Sequence, residues 1–185
     1  MNYQSYINMF EEILSGKNAD EHYKEAKYLH YARLNQSRMN RWQKTLQLNE
    51  ELVNEIKRID HPQKWIIITA HWCGDAAPIV PVLVRLSELN PLFQYDLQLR
   101  DEQPFLIDSY LTDGTKSIPK LIVRDRKEKD LFTWGPRPVA AKKFVEDLKK
   151  SGLDPEMVKT GLQNWYNKDK ATEIQKELLK LLKTY

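Results

Sequence analysis

The chain has 185 residues, 41% hydrophobic and 30% charged, which is long enough and apolar enough for one well-packed domain. Its 29 basic and 26 acidic residues leave a net charge of +3, and this near balance argues against a nucleic-acid partner. The first residues lack the pattern of a secretory signal, and no apolar stretch approaches the length of a membrane span. The single cysteine excludes an internal disulfide, so we expect a cytoplasmic protein that does not contact membranes.

Helices are predicted for the first third of the chain. Apolar residues at positions 3–14 recur at helical spacing, and Ser15-Gly16 ends that pattern. Residues 20–60 contain no glycine or proline and predict two or three further helices, with a break near Asn49. We therefore interpret residues 1–60 as an N-terminal helical extension that covers a sheet, in preference to a partner-binding arm.

A central turn connects an apolar run to an apolar segment of helical spacing. Residues 65–70 show no polar alternation, which is typical of a strand buried on both faces. Residues 80–89 follow helical spacing, so Cys73 lies where a strand gives way to a helix. The backbone N–H groups and the dipole at a helix N-terminus favour a thiolate over a thiol. This position therefore predicts a reactive cysteine.

The remaining segments alternate between strands and helices. Residues 93–99 alternate as a strand, and 104–111 suit a short helix. Asp154-Pro155 is typical of a helix start and opens one or two amphipathic helices. Residues 121–123 and 130–134 predict an antiparallel hairpin, and a helix follows Pro138. The chain thus divides into the N-terminal extension, a core over 61–150 and a C-terminal helical segment over 151–185 that packs on the core.

The central turn resembles the active-site turn of the thioredoxin superfamily. Trp72, Cys73 and Gly74 match the start of the family motif Trp-Cys-Gly-Pro-Cys. Asp75 replaces the proline, and Ala76 stands where the second cysteine belongs. The closer resemblance is to a single-cysteine group with the motif Trp-Cys-Gly-Asp-Ala.

Further matches follow in the family's order. Pro81 stands where the family's proline kinks the active-site helix, Pro119 where its cis-proline precedes a strand, and Gly135 where a glycine follows the next strand. The resemblance implies an α/β, thioredoxin-like fold, with a central mixed sheet of about four strands, helices on both faces and helical extensions at both ends.

The resemblance also implies a site around the cysteine. Cys73 is expected to be exposed and to act as the nucleophile. The charge of Asp75 opposes thiolate formation, and this residue either transfers protons or complements the helix dipole. The residues expected to bind substrate lie beside the thiol, although the aromatic ones among them can equally belong to the core: Trp72, Gly74, Ile118, Pro119 and Gly135, with Trp134 adjacent.

Metal and cofactor chemistry is not expected. His71 precedes Cys73 by two residues, but one cysteine and one histidine fall short of the four ligands of a structural zinc site. Zinc would require His22, His30 or His61 to fold over the pair. A cationic His71 would instead lower the pKa of the cysteine.

Three functions are compatible with a single cysteine. A dithiol reductase resolves its mixed disulfide with a second thiol, which this chain lacks, and Ile67 stands where thioredoxins carry a proton-relaying aspartate. The favoured reading is a monothiol oxidoreductase that acts on a protein or low-molecular-weight disulfide and is released by a thiol such as glutathione or bacillithiol. The alternatives are a non-catalytic module that binds an extended segment in the cleft at Pro119, and a cysteine redox sensor. A shielded sulfur or a high thiol pKa would favour the binding module.

Overall fold

The structure is a computed structural model that describes residues 1–18 and 20–185. Its elements follow the predicted order. Over the described residues, seven α-helices and four strands form, together with 3-10 turns at Glu21–Lys24 and Leu106–Ser109: α1 (Tyr3–Leu14), α2 (Ala26–Thr45), α3 (Glu50–Arg58), β1 (Gln63–Thr69), α4 (Ala76–Ser87), β2 (Phe93–Leu99), β3 (Lys120–Arg124), β4 (Asp130–Trp134), α5 (Val139–Lys150), α6 (Pro155–Asp169) and α7 (Thr172–Leu182).

The described strands form one mixed sheet in the order β2-β1-β3-β4. β1 runs parallel to β2 and antiparallel to β3, and β3 pairs with β4 as an antiparallel hairpin. The pairing of Thr69 with Leu99, and of Ile68 with Lys120, brings three chain segments to one end of the sheet. These are the turn after β1, the loop after β2 and the loop before β3. The predicted α/β, thioredoxin-like fold is confirmed.

Helix α4 lies in the centre of the molecule. Every residue of this helix is buried except Arg85, because the sheet covers one side and α2 the other. A helix that is apolar on all sides needs such complete cover. Helix α2 therefore covers α4 and α1 packs on α2, while α5 packs against α6 and α3 against α7.

Side-chain caps fix two of the predicted helix starts. The Asn49 carboxamide oxygen accepts a hydrogen bond from the N–H of Leu52 at 3.0 Å, and the Asp154 carboxylate accepts from Glu156 N at 2.9 Å. The helix predicted over 104–111 is wrong in extent. Phe105 has a left-handed backbone (φ 55°), so only the short turn Leu106–Ser109 forms.

No helix among the described residues has both the length and the apolarity that crossing a membrane requires. The boundaries at residues 60 and 150 stay predictions.

Candidate functional site

The turn after β1 and the loop before β3 meet at Cys73. The N–H of Cys73 donates to Ala70 O at 3.0 Å, and α4 begins three residues later at Ala76. The Cys73 thiol donates to the carbonyl oxygen of Ile118 at 3.4 Å. The Ile118–Pro119 peptide is cis. The cysteine and the proline loop therefore lie together, as the resemblance to thioredoxins implied.

The state of the sulfur differs from the prediction. Cys73 is only 6% exposed, and burial raises the pKa of its thiol to about 12, with the negative charge of Asp75 adding to the rise. Hydrogen bonds from the N–H groups of Ala76 and Asp75, and the charge of Arg137, lower the pKa by less. The prediction of an exposed thiolate is wrong, because desolvation outweighs the helix N-terminus.

Asp75 is held in a buried ion pair. The Asp75 residue is 7% exposed, and its carboxylate accepts three hydrogen bonds from the Arg137 guanidinium, at 2.9, 3.0 and 2.7 Å. The hydroxyl of Tyr166 donates to the same carboxylate at 2.7 Å. Asp75 makes no capping hydrogen bond to α4 through its side chain. Its oxygens are occupied by structural partners, which leaves proton transfer at this residue unsupported.

Helix α6 covers the turn from the C-terminal side. The Gln163 side chain donates from Nε2 to Gly74 O at 2.9 Å, and Tyr166 binds Asp75 from the next turn of the same helix. We call these two residues the α6 cover. Neither these residues nor Arg137 were predicted from the sequence. The only local signal was the position of Arg137 directly after Gly135-Pro136, near the predicted site.

The N-terminal elements cover the turn from the other side. The Trp72 ring lies 6.0 Å from the His22 ring and 5.5 Å from the Tyr28 ring, while the Arg100 guanidinium stacks 4.6 Å from its centroid. Trp72 is therefore half-buried among residues outside the predicted cleft. The alternative that it serves packing is the one that these contacts favour.

The predicted cleft residues are close together but form a packed contact. Gly135 has φ 109°, and a Cβ atom there would lie 2.4 Å from Pro119 O, so only glycine fits. Ile118 is 6% exposed, its carbonyl oxygen is already bound by the Cys73 thiol, and the Trp134 indole donates to Glu177 at 2.7 Å. Ile118 and Pro119 are both buried in these surroundings.

His71 is a core residue. It is 1% exposed, its ring stacks on Tyr6 at 4.1 Å, and its Nε2 lies 2.9 Å from Tyr6 O. Burial lowers the pKa of the imidazole to about 4, and the hydrogen bond to Tyr6 offsets only part of that effect. The suggestion that a cationic His71 tunes the thiol is wrong, since the ring is neutral near pH 7.

This depressed pKa predicts a loss of stability in mild acid. The unfolded chain binds a proton on His71 below about pH 6.5, whereas the folded chain does so only near pH 4. The free energy of unfolding therefore decreases as the pH is lowered from about 6.5 to about 4. We expect a loss of about 2 kcal/mol between pH 7.5 and pH 5, measured by urea denaturation. The His71→Gln variant should lose this pH dependence, and the exposed-site control His30→Gln should keep it. An equal slope in wild type and His71→Gln would contradict the assignment.

The described residues contain no group of three histidine, cysteine, aspartate or glutamate side chains placed to hold a metal ion. His22 does approach the turn, but as an aromatic neighbour of Trp72.

The mixed sheet, the Trp-Cys-Gly turn at the start of α4 and the cis-proline opposite the cysteine define a protein of the thioredoxin-like class. A family model, Thioredoxin_9, described as thioredoxin, matches residues 22–149. The chain belongs to this thioredoxin family. A search of curated proteins gives no match.

Two solved structures share the fold. One is a protein of unknown function, PA1234 from Pseudomonas aeruginosa, with a TM-score of 0.53 and 17% identity over 78% of this chain and 86% of that chain. The other is an HIV epitope scaffold of the 4E10 type, with a TM-score of 0.58 and 15% identity over 100% of this chain and 99% of the scaffold. At these identities the likeness concerns the fold alone.

Proposed function

We propose that this chain is a non-catalytic thioredoxin-like module that binds a protein segment, and that Cys73 serves its packing. The observation that carries the proposal is the shielded thiol. Cys73 is 6% exposed, its pKa is raised to about 12, and its hydrogen bond goes to Ile118 O. The nucleophile in disulfide exchange is the thiolate, which this environment disfavours.

The rest of the site supports the same conclusion. The chain has one cysteine, so no internal thiol can resolve a mixed disulfide, and Ile67 at the relay position is fully buried in β1. Sensing by oxidation to a sulfenic acid also needs an accessible thiolate. Thiol chemistry therefore has neither the proton acceptor nor the access that it requires in this arrangement.

Two large apolar side chains are exposed on one loop of the molecule. The loop between β2 and β3 carries Phe105 and Leu111, which are 43% and 47% exposed. This loop begins beside the Cys73 turn, because Leu99 pairs with Thr69 in the sheet. Large apolar side chains on a loop held by a rigid scaffold are typical of protein contact sites. We propose that the partner binds this loop, since Phe105 and Leu111 are exposed whereas Ile118 and Pro119 are buried.

The second candidate is the monothiol oxidoreductase. It is favoured by the position of the sulfur at the start of α4 and against the residue before Pro119. In that reaction the Cys73 thiolate would form a bond to one sulfur of a disulfide and release the other as a thiolate. An external thiol would then take the bound sulfur and restore Cys73. The α6 cover would have to leave the turn first.

Affinity capture with the full chain tests the two candidates under reducing and oxidising conditions. We expect the paired change Phe105→Asp and Leu111→Asp to reduce recovery of protein partners at least about fivefold, as loss of apolar anchors does. Cys73→Ala should leave recovery unchanged. The control is Leu92→Asp, because Leu92 is 40% exposed and lies before β2, outside this loop.

Two results would overturn the proposal. Partners joined to the wild type only by a reducible bond, and absent from Cys73→Ala, would establish the oxidoreductase. Equal recovery by the Phe105/Leu111 and Leu92 variants, or no recovery by any of them, would remove the loop as a binding surface.

A further inference from the structure

A cavity lies away from Cys73, between the end of α2, the start of α3 and the turn that joins α6 to α7. Its volume is about 750 Å³, within the usual range for small-molecule sites. The buried part of its lining includes Trp42 and Gln175, which are 6% and 5% exposed. A space of this size can hold a small molecule against an aromatic and amide wall.

The cavity wall is rigidly held. Gln175 accepts a hydrogen bond from Asn49 N at 2.7 Å and donates to Gln47 O at 3.1 Å, which ties α7 to the α2–α3 loop. Lys170 and Ala171 at the neighbouring turn both adopt left-handed backbone, with φ 54° and 64°. Residues other than glycine rarely adopt a left-handed backbone, so the surrounding packing must hold this turn in place.

The charges at the cavity are mainly positive. Arg41, Lys170 and Lys176 line it, against one carboxylate, Glu51. Glu51 is already bound to Lys183 at 2.6 Å. Arg41 contacts the neutral side chain of Asn167, and among the described residues neither Arg41 nor Lys170 has a carboxylate within ion-pair distance. Two cations therefore face the cavity without a compensating anion.

The wall also offers a free donor. The indole N–H of Trp42, a residue that lines the cavity, makes no hydrogen bond to the described residues, and its nitrogen is not among their buried polar atoms that lack a partner. The nitrogen is therefore accessible, and a ligand oxygen in the cavity can accept its hydrogen bond.

We propose that this cavity is a binding site for a small molecule that carries two or more negative charges. Arg41 supplies a planar pair of donors suited to phosphate or carboxylate oxygens, and Lys170, which also lines the cavity, supplies a second positive charge. Trp42 and Gln175 form the wall against which the rest of the molecule packs. The site goes beyond the proposed protein binding and does not depend on it.

Calorimetric titration of the full chain tests the site, with pyrophosphate and citrate as the two probes and sodium chloride at matched ionic strength as the reference. We expect saturable binding of at least one probe. The double change Arg41→Gln and Lys170→Gln should weaken it at least about tenfold, because each lost cation removes a charge-assisted contact. The matched control is Lys149→Gln with Lys150→Gln, two exposed cations on the last turn of α5.

The place of binding is determined from the NMR resonance of the Trp42 indole N–H, which is identified by its loss in the Trp42→Phe variant. This resonance should shift on titration. Binding of pyrophosphate alone would identify a phosphate compound, and binding of citrate alone a polycarboxylate. The proposal is overturned if neither probe saturates, if both double variants weaken binding equally, or if the Trp42 resonance does not move. Partner capture by the loop is a separate measurement, so the two proposals fail independently.

Discussion

Iodoacetamide should alkylate Cys73 in the folded protein about 1,000-fold more slowly at pH 7 than it alkylates the unfolded chain. The thiol pKa is raised from 9.0 to about 12 by burial and by Asp75. Each unit of pKa reduces the thiolate fraction tenfold at neutral pH. The rate is measured by mass spectrometry in buffer and in concentrated guanidinium chloride.

The α6 cover supplies the control for this measurement. Gln163→Ala removes the hydrogen bond to Gly74 O and should increase the alkylation rate, whereas Asn164→Ala, on the exposed face of the same helix, should not. A folded-state rate within about tenfold of the unfolded rate would mean that the thiol is accessible and ionisable. That result would restore the oxidoreductase as the leading function.

The change Arg137→Gln should lower the free energy of unfolding by about 2–4 kcal/mol, because it leaves the Asp75 carboxylate buried without its cation. Asp75 has a side-chain exposure of 9%, and Arg137 one of 31%. The partial exposure of Arg137 places the expected loss below that of a fully buried pair. Chemical denaturation at pH 7 gives the value.

A double-mutant cycle separates the ion pair from other effects of the substitution. Adding Asp75→Asn to Arg137→Gln should recover part of the lost stability, since no unpaired charge then stays buried. Lys142→Gln removes an ion pair whose partners are 58% and 78% exposed, and should change stability by less than about 1 kcal/mol. Equal effects of Arg137→Gln and Lys142→Gln would show that Asp75 does not depend on Arg137.

Local patterns were enough to locate most elements. The helix at Tyr3–Leu14 and the strand at Phe93–Leu99 have the predicted bounds, because apolar spacing and end signals are properties of neighbouring residues. The helix predicted over 104–111 was too long, since the left-handed backbone of Phe105 depends on the surrounding loop. The meeting of Cys73 with Pro119 followed from the resemblance to thioredoxins.

The amino-acid sequence by itself determined the strand-turn-helix around Cys73, the absence of a second thiol and the fold. Only the tertiary structure decided whether the sulfur is ionised. The groups responsible are remote in the chain: Ile118 is 45 residues from Cys73, and Arg137 and Tyr166 are 62 and 91 residues from Asp75. A thiol pKa reflects desolvation and nearby charge, and both arise only when such distant segments pack over the turn.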